Sequence, residues 1–386
     1  MAKEGSLEEI GGGEARKKPR VSEAVEEKLE LKENQVSKGE ARVSSQAEMQ
    51  RYLVAVEYIG THFAGFQKQN ECRTVQGCLE AAFNKFVGQS VSSSASSRTD
   101  TGVHALKNVC HVDVIRTSKR KPGEVLSPHD PEVVKRAVNH FLQKDAGDLV
   151  VVGVRCVAPD FHARFKAKER TYLYRIISVN GIASIFEKDR AWHVTENLNI
   201  SAMRAACQVL VGHHDFSSFR AAGCQANSPM RTLDELHVCE VPLWPYLPSI
   251  GPNSFCEIKG STSTIPIQDG KVTDEGWGSE NENHHTRNVE LGILINKKKD
   301  QSANRGSLLD GYTDKSSRCY VVTTRARSFL YHQVRLMVGT LKAVGSGSLT
   351  VRDVQEILDA RSITKVPPMA PACGLYLADV KYDFDE

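Results

Sequence analysis

Arg98 and Asp100 stand two positions apart in the run Ser97-Arg98-Thr99-Asp100-Thr101-Gly102-Val103-His104-Ala105. In extended backbone such a spacing projects both side chains to one side. A guanidinium beside a carboxylate favours the ionised acid that a nucleophile or base requires. Gly102 lets the chain turn directly after the acid and approach a ligand closely. The same residues could equally be an ordinary Arg–Asp pair that steadies a loop. His104 reads as a structural hydrogen-bonding residue of that loop rather than as a general base.

Other stretches offer groups that could serve the same chemistry. Residues 159–175 carry Arg164, Lys166, Lys168, Arg170 and Arg175 among aromatics, leading into a strand that puts Tyr172 and Tyr174 on one face. Arg116, Lys119, Arg120 and Lys121 form a basic loop, either a phosphate contact or a solvated charge run. Phe63 and Phe66, mixed with glycines and amides, could stack on bases or pack a core. Arg335 follows Val334 on the flank of an apolar helical stripe of Leu330, Val334, Val338 and Leu341. His213-His214 could suggest acid–base catalysis, whereas His284-His285 has no cysteine cluster nearby to support a metal site.

The elements that must position these groups alternate. Residues 52–58 and 149–154 read as strands, as does a segment from about Val109 to Ile115. Thr74 caps a helix with Val75, Leu79, Ala82, Phe83 and Phe86 at helical spacing. Asp130-Pro131 starts another, with its apolar face at Val133/Val134, Ala137/Val138 and Phe141/Leu142. The order strand, helix, strand, helix, strand has a split β-α-β, ferredoxin-like character. A second half repeats it: a helix from Asn199 to Val211 burying Met203, Ala206, Cys207 and Leu210, strands near 233–241 and 320–324, and a helix opened by Thr350 with Asp353.

Length and composition set the frame. The 386 residues, 40% hydrophobic and 25% charged with net charge +3, suit one large or two ordinary globular domains. So small a basic excess means that any nucleic-acid contact must concentrate charge locally. No apolar run approaches a membrane span, and the start lacks a signal-peptide apolar core. Ten cysteines without C-x-x-C, several within apolar patterns such as Cys110, Cys156, Cys207 and Cys239, fit reduced, buried thiols of an intracellular protein. Residues 1–50 hold 11 acidic and 9 basic residues and no aromatic, which predicts a disordered extension; Arg16-Lys17-Lys18-Pro19-Arg20 within it is a nuclear-import patch or a solvated charge run. Residues 244–317, rich in Pro, Gly, Ser and Asn, read as a mobile insertion.

Several motifs share one resemblance. R-T-D-x-G-V-H-A at Arg98–Ala105 resembles the active-site motif of the TruA family of tRNA pseudouridine synthases. Phe63 to Glu80, the D-F-S-S-F-R segment at Asp215–Arg220 followed by Ser228-Pro229-Met230-Arg231, F-L-x-H-x-V-R-x-M-V-G at Phe329–Gly339, and the closing A-x-G-L-x-L at Ala372–Leu377 are similar to further motifs of that family, in its order. Ser96 to Asn108 is closer to the eukaryotic pseudouridine synthase-like branch than to bacterial members.

The resemblance implies an α+β (mixed α/β) pseudouridine synthase fold, two ferredoxin-like halves sharing a mainly antiparallel central sheet. The expected division is 51–165, carrying the aspartate loop, and 166–386, interrupted by the insertion. It implies an isomerase of uridine in tRNA, usually in the anticodon arm, working as a homodimer without cofactor or metal. Asp100 would be catalytic, supported by Arg98, Tyr172 and Arg335; Tyr172 would pack on the base, with Arg164, Lys166, Lys168 and Arg170 as substrate contacts. The compartment would be cytoplasmic or nuclear, with an organelle left open. A non-catalytic tRNA-binding or folding factor is the alternative, and a glycoside or nucleoside hydrolase would need a second acid that no motif supplies.

Overall fold

The computed structural model describes residues 49–118, 120–121, 124–182, 184–242 and 317–384. The expected disorder of the N-terminal extension, its basic patch, Lys119, His284-His285 and the insertion up to residue 316 lie outside the described residues. By their contacts the described residues fall into two units. The first holds residues up to Thr99, Lys107–Ala167 and the chain from Tyr382 onward; the second holds Asp100–Leu106 and Lys168–Lys381. The chain is therefore not cut at one point, because Asp100–Leu106 contacts residues that follow much later in the sequence.

The first unit contains β1 (Met49–Tyr58), α1 (Val75–Val87), β2 (Ser93–Ala95), most of β3 (His104–Ile115), α2 (Pro131–Leu142) and β4 (Leu149–Val157). β1 lies between β4 and β3, and β2 edges β3. Thr74 caps α1 by accepting from the Gly77 amide, and Asp130 caps α2 through the Glu132 amide. Val134, Val138 and Leu142 form the buried stripe of α2. Phe63 and Phe66 are each 2% exposed and pack on Tyr58, so they belong to the core and not to a base-stacking surface.

β3 starts at His104, five residues before the expected position near Val109. The polar residues that hide this strand are satisfied internally. Asn108, fully buried, donates to Tyr58 Oη and the Ser97 carbonyl and accepts from Ser96 Oγ. Cys156, expected among buried thiols, is exposed near the end of β4, which among the described residues is paired on only one side. All nine cysteines among the described residues are free.

The second unit is built on β5 (Ala167–Ser178), β6 (Trp192–Val194), β7 (Gly212–Asp215), β8 (Met230–Val241), β9 (Arg318–Ala326) and β10 (Leu375–Tyr382). Its described residues also form the helices α3 (Ile200–Leu210), α4 (Gln333–Gly345) and α5 (Val351–Ala360). The ladders β1–β4, β2–β3, β5–β9, β7–β8 and β8–β9 are antiparallel; β3–β10 and β5–β6 are parallel. This is the mixed α/β, mainly antiparallel arrangement expected. One face of β5 enters a cluster of Leu173, Ile177, Ala191, Val241, Cys319, Val321 and Tyr376. The opposite face carries Tyr172 and Tyr174, as strand alternation requires. α3 buries Met203, Ala206, Cys207 and Leu210, and Thr350 with Asp353 forms a full capping box on α5. Among the described residues no helix is long and apolar enough to cross a membrane.

Candidate active site

Asp100 opens a tight turn. Its carbonyl accepts from the Val103 amide at 3.1 Å, and Gly102 takes φ +78°, a left-handed conformation that any side chain would strain. Just before it Thr99 is buried, its hydroxyl 2.8 Å from Tyr58 Oη and its carbonyl accepting from the Phe66 amide. Just after it His104 begins β3, 1% exposed. Its Nε2 lies 3.0 Å from the Asp189 carbonyl and 3.1 Å from that of Cys373, and its ring stacks on Tyr376 at 4.6 Å. Burial outweighs these carbonyls and pulls the imidazole down to about 4, so His104 is neutral at ordinary pH. A neutral, sealed ring is a structural part, and it sits in a strand and not in the loop.

The 189–191 segment that meets His104 is itself tied down. Arg175 and Glu187 form a buried bidentate pair at 2.7 and 2.9 Å, and Tyr376 donates to the Arg190 carbonyl at 2.7 Å. Thus one end of the nonamer is bolted into the interior of the second unit.

Two groups from the start of α4 approach the acid. His332 Nε2 is 3.2 Å from Asp100 Oδ2, and Arg335 Nη1 is 3.6 Å from the same oxygen. The Asp100 side chain keeps 29% of its surface exposed, whereas His332 and Arg335 keep 16% and 13%. Both nitrogens lie on Oδ2, so Oδ1 is the oxygen that neither of them faces. His332 is the N-cap of α4 with φ +62°, an uncommon conformation for a residue with a side chain. Tyr331 stacks on its ring at 3.7 Å. Tyr331 is held in turn by its amide on Cys224 Sγ at 3.4 Å and by its carbonyl, which accepts from the Ala221 amide.

Arg335 is clamped by main chain. Its Nε donates to the Ala370 carbonyl at 2.8 Å, while the Ala370 amide donates to the Arg335 carbonyl at 3.1 Å. One turn further along α4, Gly339 allows this close approach: a Cβ there would lie 2.4 Å from the Pro368 carbonyl oxygen. The strap 368–370 therefore lies directly on the helix that presents Arg335.

The remaining expected residues are placed as follows. Tyr172 is 9% exposed on β5, its ring edge-on to Phe329 at 5.1 Å, three positions before His332. Arg98 is exposed in the first unit. Arg164, Lys166 and Lys168 are exposed. Arg170 is not: it shares the face of Tyr172, is 8% exposed and donates to the Arg327 carbonyl. Arg116 donates to the Ser127 carbonyl at 3.0 Å, and Arg120 and Lys121 are exposed. His213 pairs with Thr232 Oγ1 and His214 with the Val211 carbonyl, which accounts for both as β7 structure. His332 is not among the expected residues, although it lies inside the F-L-x-H-x-V-R motif, three residues before Arg335. Among the described residues no group of three or more His, Cys, Asp or Glu could hold a metal ion.

Comparison with known proteins gives this geometry a family. A family profile described as tRNA pseudouridine synthase matches residues 54–166, 206–264 and 278–383. The match includes Arg98, Asp100, His332 and Arg335 and enters the 244–317 stretch from both sides, where the motifs lapse; Tyr172 lies in the unmatched 167–205. Among similar proteins are the tRNA pseudouridine synthase A of Azorhizobium caulinodans, 35% identical over 86% of this chain and 95% of the relative, and that of Xanthobacter autotrophicus, 35% identical over 86% and 100%. The Agrobacterium fabrum protein of the same name is 33% identical over 86% of this chain and 93% of its own. With the profile covering most of the chain, and these relatives aligned over nearly their whole length, the chain belongs to the tRNA pseudouridine synthase family.

Proposed function

We infer that this chain isomerises uridine to pseudouridine in tRNA, with Asp100 as the acid that carries the chemistry. The observation that carries this reading is the convergence of His332 and Arg335 on Oδ2 of Asp100 within the family's motif. The reaction breaks the N-glycosidic bond of a uridine and forms a C–C bond between the same base and sugar. Product and substrate are isomers, so the step needs no oxidant, reductant or group donor. A carboxylate anchored by one oxygen presents the other to the substrate in a fixed place, and such positioning lowers the barrier. The base must leave its stack to reach Asp100, which is easiest in a loop or a distorted stem. Arg98, exposed beside the acid in sequence, is assigned to extruding it, and Tyr172 to packing on the uracil. Arg164, Lys166 and Lys168 are assigned to backbone phosphates, with Arg170 supporting the strand from inside.

The finer reading is a target uridine in the anticodon arm, a homodimer, and a place in the eukaryotic pseudouridine synthase-like branch in a cytoplasmic or nuclear setting. Ser96 to Asn108 supports the branch, and the nine free thiols among the described residues suit a reducing compartment. The test takes total tRNA from cells lacking the protein and maps pseudouridine by chemical labelling, beside rescue by the wild type and by Asp100→Asn. Sites restored by the wild type alone support the reading. A phenotype rescued equally by Asp100→Asn would replace it with a tRNA-binding role.

A further inference from the structure

Phe165 is 70% exposed, although the chain around it is tightly fixed and rich in partners for an aromatic ring. The turn Phe161–Lys166 is closed by the Lys166 amide on the His162 carbonyl at 2.9 Å and by the Arg164 amide on His162 Nδ1 at 3.1 Å. His111 Nδ1 accepts from the Ala163 amide at 3.1 Å, Tyr382 donates to the Ala163 carbonyl at 2.7 Å, and Arg51 donates to the Phe161 carbonyl at 2.9 Å. Behind the turn, Phe161 packs with Tyr382 and Phe384, and Arg155 lies 4.0 Å over the Phe384 ring. Phe161 and Ala163 point into this packing and are buried, whereas Phe165 does not join it.

What Phe165 touches defines its surface. Its ring lies 4.3 Å from that of His162, which meets His111 edge-on at 4.7 Å. The Arg164 guanidinium sits 5.8 Å from the Phe165 centroid, and both Arg164 and Lys166 are exposed. Burial, Arg51 and the neighbouring charges push both imidazoles below their usual range, His111 to about 4, so this pair offers flat neutral rings. The nearby acid Asp113 is taken up by a bidentate pair with Arg51 at 2.6 Å. An exposed ring on a fixed turn, with the Arg164 guanidinium near it and the exposed Lys166 next in sequence, matches an unpaired nucleobase with its phosphates, since every base has a π-face and every phosphate a charge. An apolar protein partner would be matched poorly by so cationic a turn.

We propose that Phe165, backed by His162 and neighboured in sequence by the exposed cations Arg164 and Lys166, is a stacking platform for an unpaired base of the RNA substrate. This rests on the tRNA reading above and assigns it a contact separate from the acid. Stacking on a single ring adds about 5- to 100-fold to single-strand affinity, whereas each phosphate contact acts through salt.

The experiment measures binding of an unmodified tRNA transcript, and of a fully paired RNA duplex of similar length, to the full chain and its variants. Phe165→Ala and Phe165→Leu should both weaken tRNA binding about 5- to 100-fold, and Phe165→Trp should restore it. The loss should persist at high salt, whereas Arg164→Ala with Lys166→Ala should lower the salt slope by about 1 to 2. Duplex binding should not respond to Phe165. Wild-type affinity in Phe165→Leu, or an equal loss on the duplex, would overturn the platform, because neither is a property of base stacking. Thermal melts of each variant exclude a folding defect, and Phe165→Leu keeps an apolar side chain should Phe165→Ala unfold. Pseudouridine formation is followed in parallel. Active wild type with Phe165-independent binding sinks only the platform, and inactive wild type with Phe165-dependent binding sinks only the synthase reading.

Discussion

Asp100 and His104 lie four residues apart, one opening a turn and the other the strand after it, and live under opposite conditions. Asp100 is partly open to water and meets nitrogens at 3.2 and 3.6 Å on its Oδ2. His104 is sealed, stacked and bonded to two carbonyls. In the proposed reading, with Asp100 as the acid, the difference separates fixing from reacting. A group that must meet a substrate cannot be fully packed, so its position is set by a neighbour that is. His104 and the start of β3 supply the fixed end, and the Gly102 turn transmits it to the acid. From the other side α4 brings its own fixed point, Arg335 clamped by the strap.

If this division is right, variants at the two ends should fail differently. The largest effect is expected of Asp100→Asn, which should cut pseudouridine formation at least about a thousand-fold while the melting temperature stays within about 2 °C. Quantitative labelling of tRNA with a parallel melt reads both. At the sealed end, His104→Leu should lose about 2–4 kcal/mol of stability in urea unfolding, since two buried carbonyls lose their donor and a stacked ring is removed. Activity should fall with it, and a stable but inactive His104→Leu would collapse the comparison.

A smaller effect is expected of pH. His104 titrates near 4 when folded and near 6.5 when unfolded, so the unfolded chain binds the extra proton in between. The stability it contributes is present above about pH 6.5 and is lost as pH falls toward 4, by about 2–3 kcal/mol. His111, also pulled to about 4, adds to this loss, so His104→Leu should flatten the acid limb without abolishing it. The smallest effect should carry opposite signs. His332→Gly relieves the φ +62° backbone and should raise stability by up to about 1 kcal/mol, yet removing a partner of Oδ2 should slow catalysis about ten-fold.

Much of this was legible because it is local. The shared face of Tyr172 and Tyr174, the buried stripe of α3 and the Thr350–Asp353 capping box follow from periodicity and short-range hydrogen bonds. The beginning of β3 was hidden because His104 and Asn108 look like loop residues until their distant partners are known. Arg170 looked available for substrate because a single sequence does not show that β9 lies beside it, with the Arg327 carbonyl within reach. His332 was passed over for a similar reason. Its nearest acid is more than two hundred residues away in sequence, and no spacing rule predicts positive φ for a histidine.

The strap over α4 bears on how this site tolerates change over time. Position 370 acts through its own amide and carbonyl, so the clamp does not read the identity of its side chain. Ala370 is nevertheless fully buried, which restricts it to small residues, and its donated hydrogen excludes proline. Gly339, by contrast, is held to a single residue type by the Pro368 oxygen. A lineage could therefore exchange Ala370 for serine or glycine and keep Arg335 in place. A single added methyl at Gly339 would lift the strap from the helix and move the guanidinium that faces the acid.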